Sequence, residues 1–82
     1  MNIANEMVRE VVIDIPEGHT HLRTTVRLHD GTELVFQEAT IANISRAYFS
    51  VKTHPQKTSV RLKGRSLSVK KQGFADWQLL EE

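Results

Sequence analysis

The chain has 82 residues, a formal net charge of +1 at pH 7 and no cysteine. That length bounds it to one domain over residues 1–82, and the absence of thiols excludes disulfide staples and thiolate metal sites. The longest uninterrupted aliphatic run, Val11-Val12-Ile13, is far short of a membrane span, and an N-terminus carrying Glu6 and Glu10 does not read as a signal peptide; the cytoplasm is the expected location.

Residues 1–7 read as loose chain or a short helical turn. From Val8 the pattern becomes an alternation, with Val11, Ile13 and Ile15 on one side and Glu10, Val12 and Asp14 on the other, which predicts a strand. Pro16 ends it, and Pro16-Glu17-Gly18 is turn chemistry.

A hairpin follows, and its register can be argued from the side chains. Leu22, Thr24, Val26 and Leu28 share one face of the first strand, and Leu34 and Phe36 share one face of the second. A two-residue loop at Asp30-Gly31 would set Leu34 and Phe36 beside Arg27 and Thr25. A three-residue loop, His29-Asp30-Gly31, pairs Val26 with Leu34 and Thr24 with Phe36, and sets Arg27 opposite Glu33. The longer loop is therefore predicted, with Gly31 left-handed in a bulge.

Residues 39–47 are ambiguous. Ile41, Ile44 and Tyr48 fit helical spacing, yet β-branched residues are frequent, and the expectation leans towards strand continuing from the hairpin. Tyr48–Thr53 reads as a further strand. A second hairpin is predicted near the end, pairing Leu62 with Leu67 and Val60 with Val69 around a Gly64-Arg65 type II′ turn. After Gly73, the alternation Ala75-Trp77-Leu79 suits a strand, while Phe74, Trp77 and Leu80 suit a helical turn. The fold class expected is mainly β: a small barrel or curled antiparallel sheet of about six short strands.

Charge is distributed unevenly. Residues 1–38 hold seven acids (Glu6, Glu10, Asp14, Glu17, Asp30, Glu33, Glu38) against Arg9, Arg23 and Arg27. Between Ala39 and Ala75 there is no acid, while Arg46, Lys52, Lys57, Arg61, Lys63, Arg65, Lys70 and Lys71 are all basic. On the predicted second hairpin Arg61, Lys63 and Lys70 fall opposite the apolar face, with Arg65 at the turn. Such a ribbon suits phosphate oxygens or another anionic partner. Equally, it suits a solvated face that guards an edge strand. Tyr48 and Phe49 are adjacent, so on a strand one of them would face outward and could stack a base.

Catalysis is not indicated. The serines lack an activating base, no glycine-rich phosphate loop is present, and His19, His21 and His29 offer no third convergent metal ligand. No metal and no cofactor is expected.

Two short patterns, Arg23-Thr-Thr-Val-Arg27 and Asn43-Ile44-Ser45, resemble the arginine pair and the start of the second motif of PilZ domains. Tyr48 stands where that family has glycine. The resemblance implies a small β-barrel that binds cyclic di-GMP through Arg23, Arg27, Asn43 and Ser45 and relays it to a protein partner. Three functions are thus carried forward: a non-enzymatic regulatory module contacting a protein or anionic partner, a single-stranded nucleic-acid binder using the basic hairpin over 57–71, and a homodimer built on an exposed edge strand.

Overall fold

A computed structural model describes residues 1–67, 72 and 76–82. Its contacts divide the chain into two compact units, Met1–Glu38 and Ala39–Glu82. The division falls at the residue where the sequence turns from acidic to basic.

The first unit is a three-stranded antiparallel meander, preceded by a single 3-10 turn at Asn5–Met7. Its strands are β1 (Val8–Asp14), β2 (Arg23–Leu28) and β3 (Glu33–Gln37), with β2 in the centre. The predicted register of β2 and β3 is the one observed: Thr24 lies opposite Phe36, Val26 opposite Leu34 and Arg27 opposite Glu33. The connection is His29-Asp30-Gly31. Leu28 N–H donates to Thr32 O, Gly31 N–H donates back to Leu28 O, and Gly31 takes φ 93°. A left-handed backbone is where a Cβ is costly, so glycine belongs here. The Asp30 carboxylate accepts the Thr32 N–H at 2.8 Å and fastens the turn from inside.

Strand β1 joins β2 with Val11 opposite Val26 and Ile13 opposite Thr24. Its register slips between Val8 and Glu10, so that Val8 pairs with Leu28 although it is three residues from Val11. The slip keeps both valines on the apolar face, as a bulge does. Leu28 is the only fully buried hydrophobic side chain among the described residues. The Pro16-Glu17-Gly18 turn closes with His19 N–H donating to Pro16 O, and Gly18 has φ 81°.

The second unit departs from expectation. Residues 39–47, where helical spacing competed with a lean towards strand, and Tyr48–Thr53, read as strand, fall together in one α-helix, α1 (Glu38–Thr53). Apolar and small residues at positions 40, 43, 47, 50 and 51 recur every three to four residues and lie on its covered side. A strand would have put Ile41 in register with Asn43 and Ser45. The helix therefore overrides the β-preference of Thr40, Ile41, Ile44 and Val51. Glu38 in the first turn and Lys52 in the last suit the helix dipole. Pro55 prevents continuation, and Thr53 Oγ1 donates to Phe49 O at the last turn.

The second hairpin is also corrected. Gly64 and Arg65 are not a turn; they lie in the middle of β4 (Leu62–Ser66), which pairs antiparallel with β5 (Trp77–Glu81). Gly64 stands opposite Leu79 without a positive φ, so the type II′ geometry is not adopted. Two partners competed for Leu62–Ser66: a nearby apolar pair at Leu67 and Val69, and a distant strand bearing Trp77, Leu79 and Leu80. The distant strand is the partner observed. Val69, Lys70, Phe74 and Ala75 lie outside the described residues. The strand alternative for residues 77–80 holds.

Among the described residues the fold is thus mainly β, with five strands in two separate antiparallel sheets, one α-helix and no closed barrel. No helix among them is long and apolar enough to cross a membrane.

Candidate functional site

Two residues of the PilZ-like pattern, Arg27 and Asn43, make bonds within the fold, and the other two, Arg23 and Ser45, are exposed. Arg23 and Arg27 sit on the central strand, two turns of the pleat apart, and not on a loop. Arg27 is committed: its Nη1 donates to Glu10 Oε1 at 2.9 Å and its Nε to Glu33 Oε2 at 3.2 Å. These two bonds hold its guanidinium above the usual arginine pKa, the Glu10 bond contributing most. Arg23 is exposed on the same face, opposite Asp14 and Gln37. In the second unit, Asn43 is buried, and its Oδ1 accepts the Leu79 N–H of β5 at 2.9 Å. That bond ties α1 to the outer edge of the hairpin. Ser45 is exposed on α1.

The basic residues of the hairpin do share a face. Successive pairs across the ladder place Arg61, Lys63 and Arg65 on one side of β4, with Gln78, Leu80 and Glu82 on the same side of β5. Charge on that face is graded along its length. Lys63 Nζ meets Glu82 Oε1 at 2.7 Å, and Arg61 Nη1 meets the other oxygen of the same carboxylate at 3.7 Å. Lys57 is drawn to Glu81 and to Ser50 Oγ. Arg65, at the far end, is exposed and makes no ion pair with the described residues. Lys70 lies outside the described residues.

Sequence reasoning missed the helix as a surface. On α1, Ser45, Tyr48, Phe49 and Lys52 fall at spacings of three, four and seven, so they line one stripe. All four are exposed, Tyr48 by 65% and Phe49 by 67%. A strand would have hidden one of two adjacent aromatics, whereas a 100° step leaves both outward. Arg46 and Lys52 flank the rings, and neither makes an ion pair with the described residues. The signal was present in the helical spacing of Ile41, Ile44 and Tyr48.

Among the described residues there is no group of three histidine or acidic side chains placed to hold a metal ion. His21 Nδ1 lies 2.9 Å from Glu38 Oε2, which also accepts the Leu22 N–H. Comparison with protein-family models, curated proteins and solved structures returned no match to this chain.

Proposed function

We propose that the chain is a non-catalytic binding module whose basic half takes an anionic polymer with stackable rings, the chemistry of single-stranded nucleic acid. The observation that carries this reading is the α1 stripe. Two large aromatic rings lie open to solvent on consecutive residues, with Arg46 and Lys52 beside them on the helix and neither cation in an ion pair with the described residues. Stacking platforms flanked by cations are how proteins grip unpaired bases without reading their sequence. The unit carrying the stripe has eight basic residues against Asp76, Glu81 and Glu82, so its long-range field favours anions.

Fluorescence anisotropy of a labelled oligothymidylate, titrated with the protein across a salt series, tests this. Arg46, Lys52 and Arg65 as phosphate contacts predict a log–log salt slope of about −2. Tyr48→Ala and Phe49→Ala should each weaken binding by about 1–3 kcal/mol. A flat titration at low salt ends the nucleic-acid reading and leaves the stripe as a protein contact. Cyclic di-GMP, titrated in parallel, asks whether a two-base ligand suffices.

A further inference from the structure

The acidic unit has an open side that the binding reading does not use. Strand β1 is an edge of the meander, and no described strand lies beyond it. Val11, Ile13 and the adjoining Ile15 all point to the apolar face, yet they are 51%, 64% and 57% exposed. An edge strand with unpaired backbone groups and an aliphatic row invites another strand, and native sheets ordinarily blunt such edges with charge, proline or a bulge. Here those devices leave the row itself open: the register slip and Arg9 come before it, Asp14 lies on the opposite face, Glu10 reaches back over the sheet to Arg27, and Pro16 comes only after the row ends.

We propose that β1 pairs antiparallel with β1 of a second copy about a two-fold axis through Ile13, making one six-stranded sheet with a continuous apolar face. The register follows from charge and side-chain direction. For the apolar faces to remain on one side, the axis must pass through a residue and not between two, because paired residues point the same way. Centring on Val12 would oppose Glu10 to Asp14 of the second copy. Centring on Asp14 would oppose it to itself. Both place like charges directly across a strand pair, which destabilises it. Centring on Val11 faces Ile13 with Arg9 and Val8 with Asp14. Only the axis at Ile13 sets Ile13 against Ile13 and Val11 against Ile15, while Val12 meets Asp14 on the other face. The pairing is isologous, so it closes at two copies.

The opposite edge is a poorer candidate. Strand β3 runs directly into α1 at Glu38, and its Glu33 is bonded to Arg27. It does present Val35, which is exposed, and so supplies a matched control.

The natural chain has no cysteine, which makes single-cysteine variants clean reporters. Ile13→Cys in the full chain, oxidised with diamide, should form a disulfide-linked dimer, because directly opposed Cβ atoms lie about 4.5–5.5 Å apart. Val35→Cys should stay monomeric. Mixing Val11→Cys with Ile15→Cys should give the mixed dimer in preference to either homodimer. Sedimentation equilibrium of the unmodified chain should report twice the monomer mass, and Ile13→Lys should return it to monomer with its amide dispersion intact. The proposal is overturned if the unmodified chain sediments as monomer at every concentration. Crosslinking of Val35→Cys as fast as Ile13→Cys overturns it as well. If Ile13→Lys unfolds, the mixed Val11 and Ile15 pair still decides, since failure of its preferential crosslink rejects the register.

Discussion

The acidic and basic halves treat arginine in opposite ways. In the meander Arg27 stands on the central strand between two edge strands that each supply a glutamate, and both glutamates reach it. In the second unit one carboxylate, Glu82, serves Arg61 and Lys63, and Arg46, Lys52 and Arg65 make no ion pair with the described residues. The side chain is the same; the neighbours across the ladder or along the helix decide whether it knits the fold or faces a partner. Counting cations therefore says less than asking which of them a nearby carboxylate already occupies.

The comparison is broken most directly at the centre of each unit. Leu28→Ala should cost about 2–5 kcal/mol, because it empties the one fully buried hydrophobic position among the described residues. If the halves behave as separate units, urea denaturation followed by amide signals should lose the meander before the helix–hairpin half. Asn43→Ala should cost about 1–3 kcal/mol by leaving the Leu79 N–H without its acceptor. Hydrogen exchange at Leu79 should then accelerate while amides of β2 stay protected. Equal acceleration in both halves would show that they unfold together.

Two of the glycines that the sequence placed in turns, Gly31 and Gly64, sharpen it further. Gly31→Val should destabilise by about 1–2 kcal/mol, since a β-branched residue is forced to φ near 93°. Gly64→Val should be close to neutral. Its backbone is extended, and an added Cβ would meet only a Leu79 methyl at 3.9 Å, an ordinary contact. Thermal melts of the two variants side by side distinguish a strand glycine from a turn glycine. A collapse of Gly64→Val would restore the Gly64-Arg65 turn.

The smallest effect is a pH dependence confined to the meander. The Thr32 N–H holds the Asp30 carboxyl below its usual range in the folded chain. A folded pKa below the unfolded one contributes stability above the unfolded value, and that contribution is lost as pH falls through the folded value. Asp30→Asn keeps an acceptor oxygen but cannot titrate. On acidification the unmodified chain should lose stability relative to this variant, read as a narrowing gap between their melting temperatures.

What could be read in advance follows the range of the interactions. The first hairpin was legible because three constraints agreed: matched aliphatics, Arg27 facing Glu33, and a glycine where φ must be positive. Nothing distant competes for those residues. Residues 39–47 stayed open and Tyr48–Thr53 was misread as strand because Ile41, Ile44 and Val51 prefer strands locally, and only the spacing, completed by the covered Asn43, favours a helix. The second hairpin failed for a different reason. Gly64-Arg65 is adequate turn chemistry, but the partner that wins lies beyond residue 76, and the reward for reaching it includes a hydrogen bond from a helix the sequence had not placed. The candidate site inherited both errors. Arg61 and Lys63 were assigned to one face, as they are, but Arg65 was placed at a turn and not beside them, and the pair of outward aromatics depended on α1.

The closing bond of the first turn has a consequence in time. Leu28 and Thr32 are joined across three residues, whereas Ser66 meets Trp77 only after the whole of 67–76 has been looped out. Loop-closure entropy rises with length by roughly 0.6 kcal/mol per doubling, and a tight hairpin forms within about 1–10 μs. The β2–β3 hairpin should thus form before the β4–β5 pair. Substitutions in its loop should slow refolding, while those on β5 should mainly hasten unfolding. The acidic half would then present an organised sheet edge before the basic half has found its second strand.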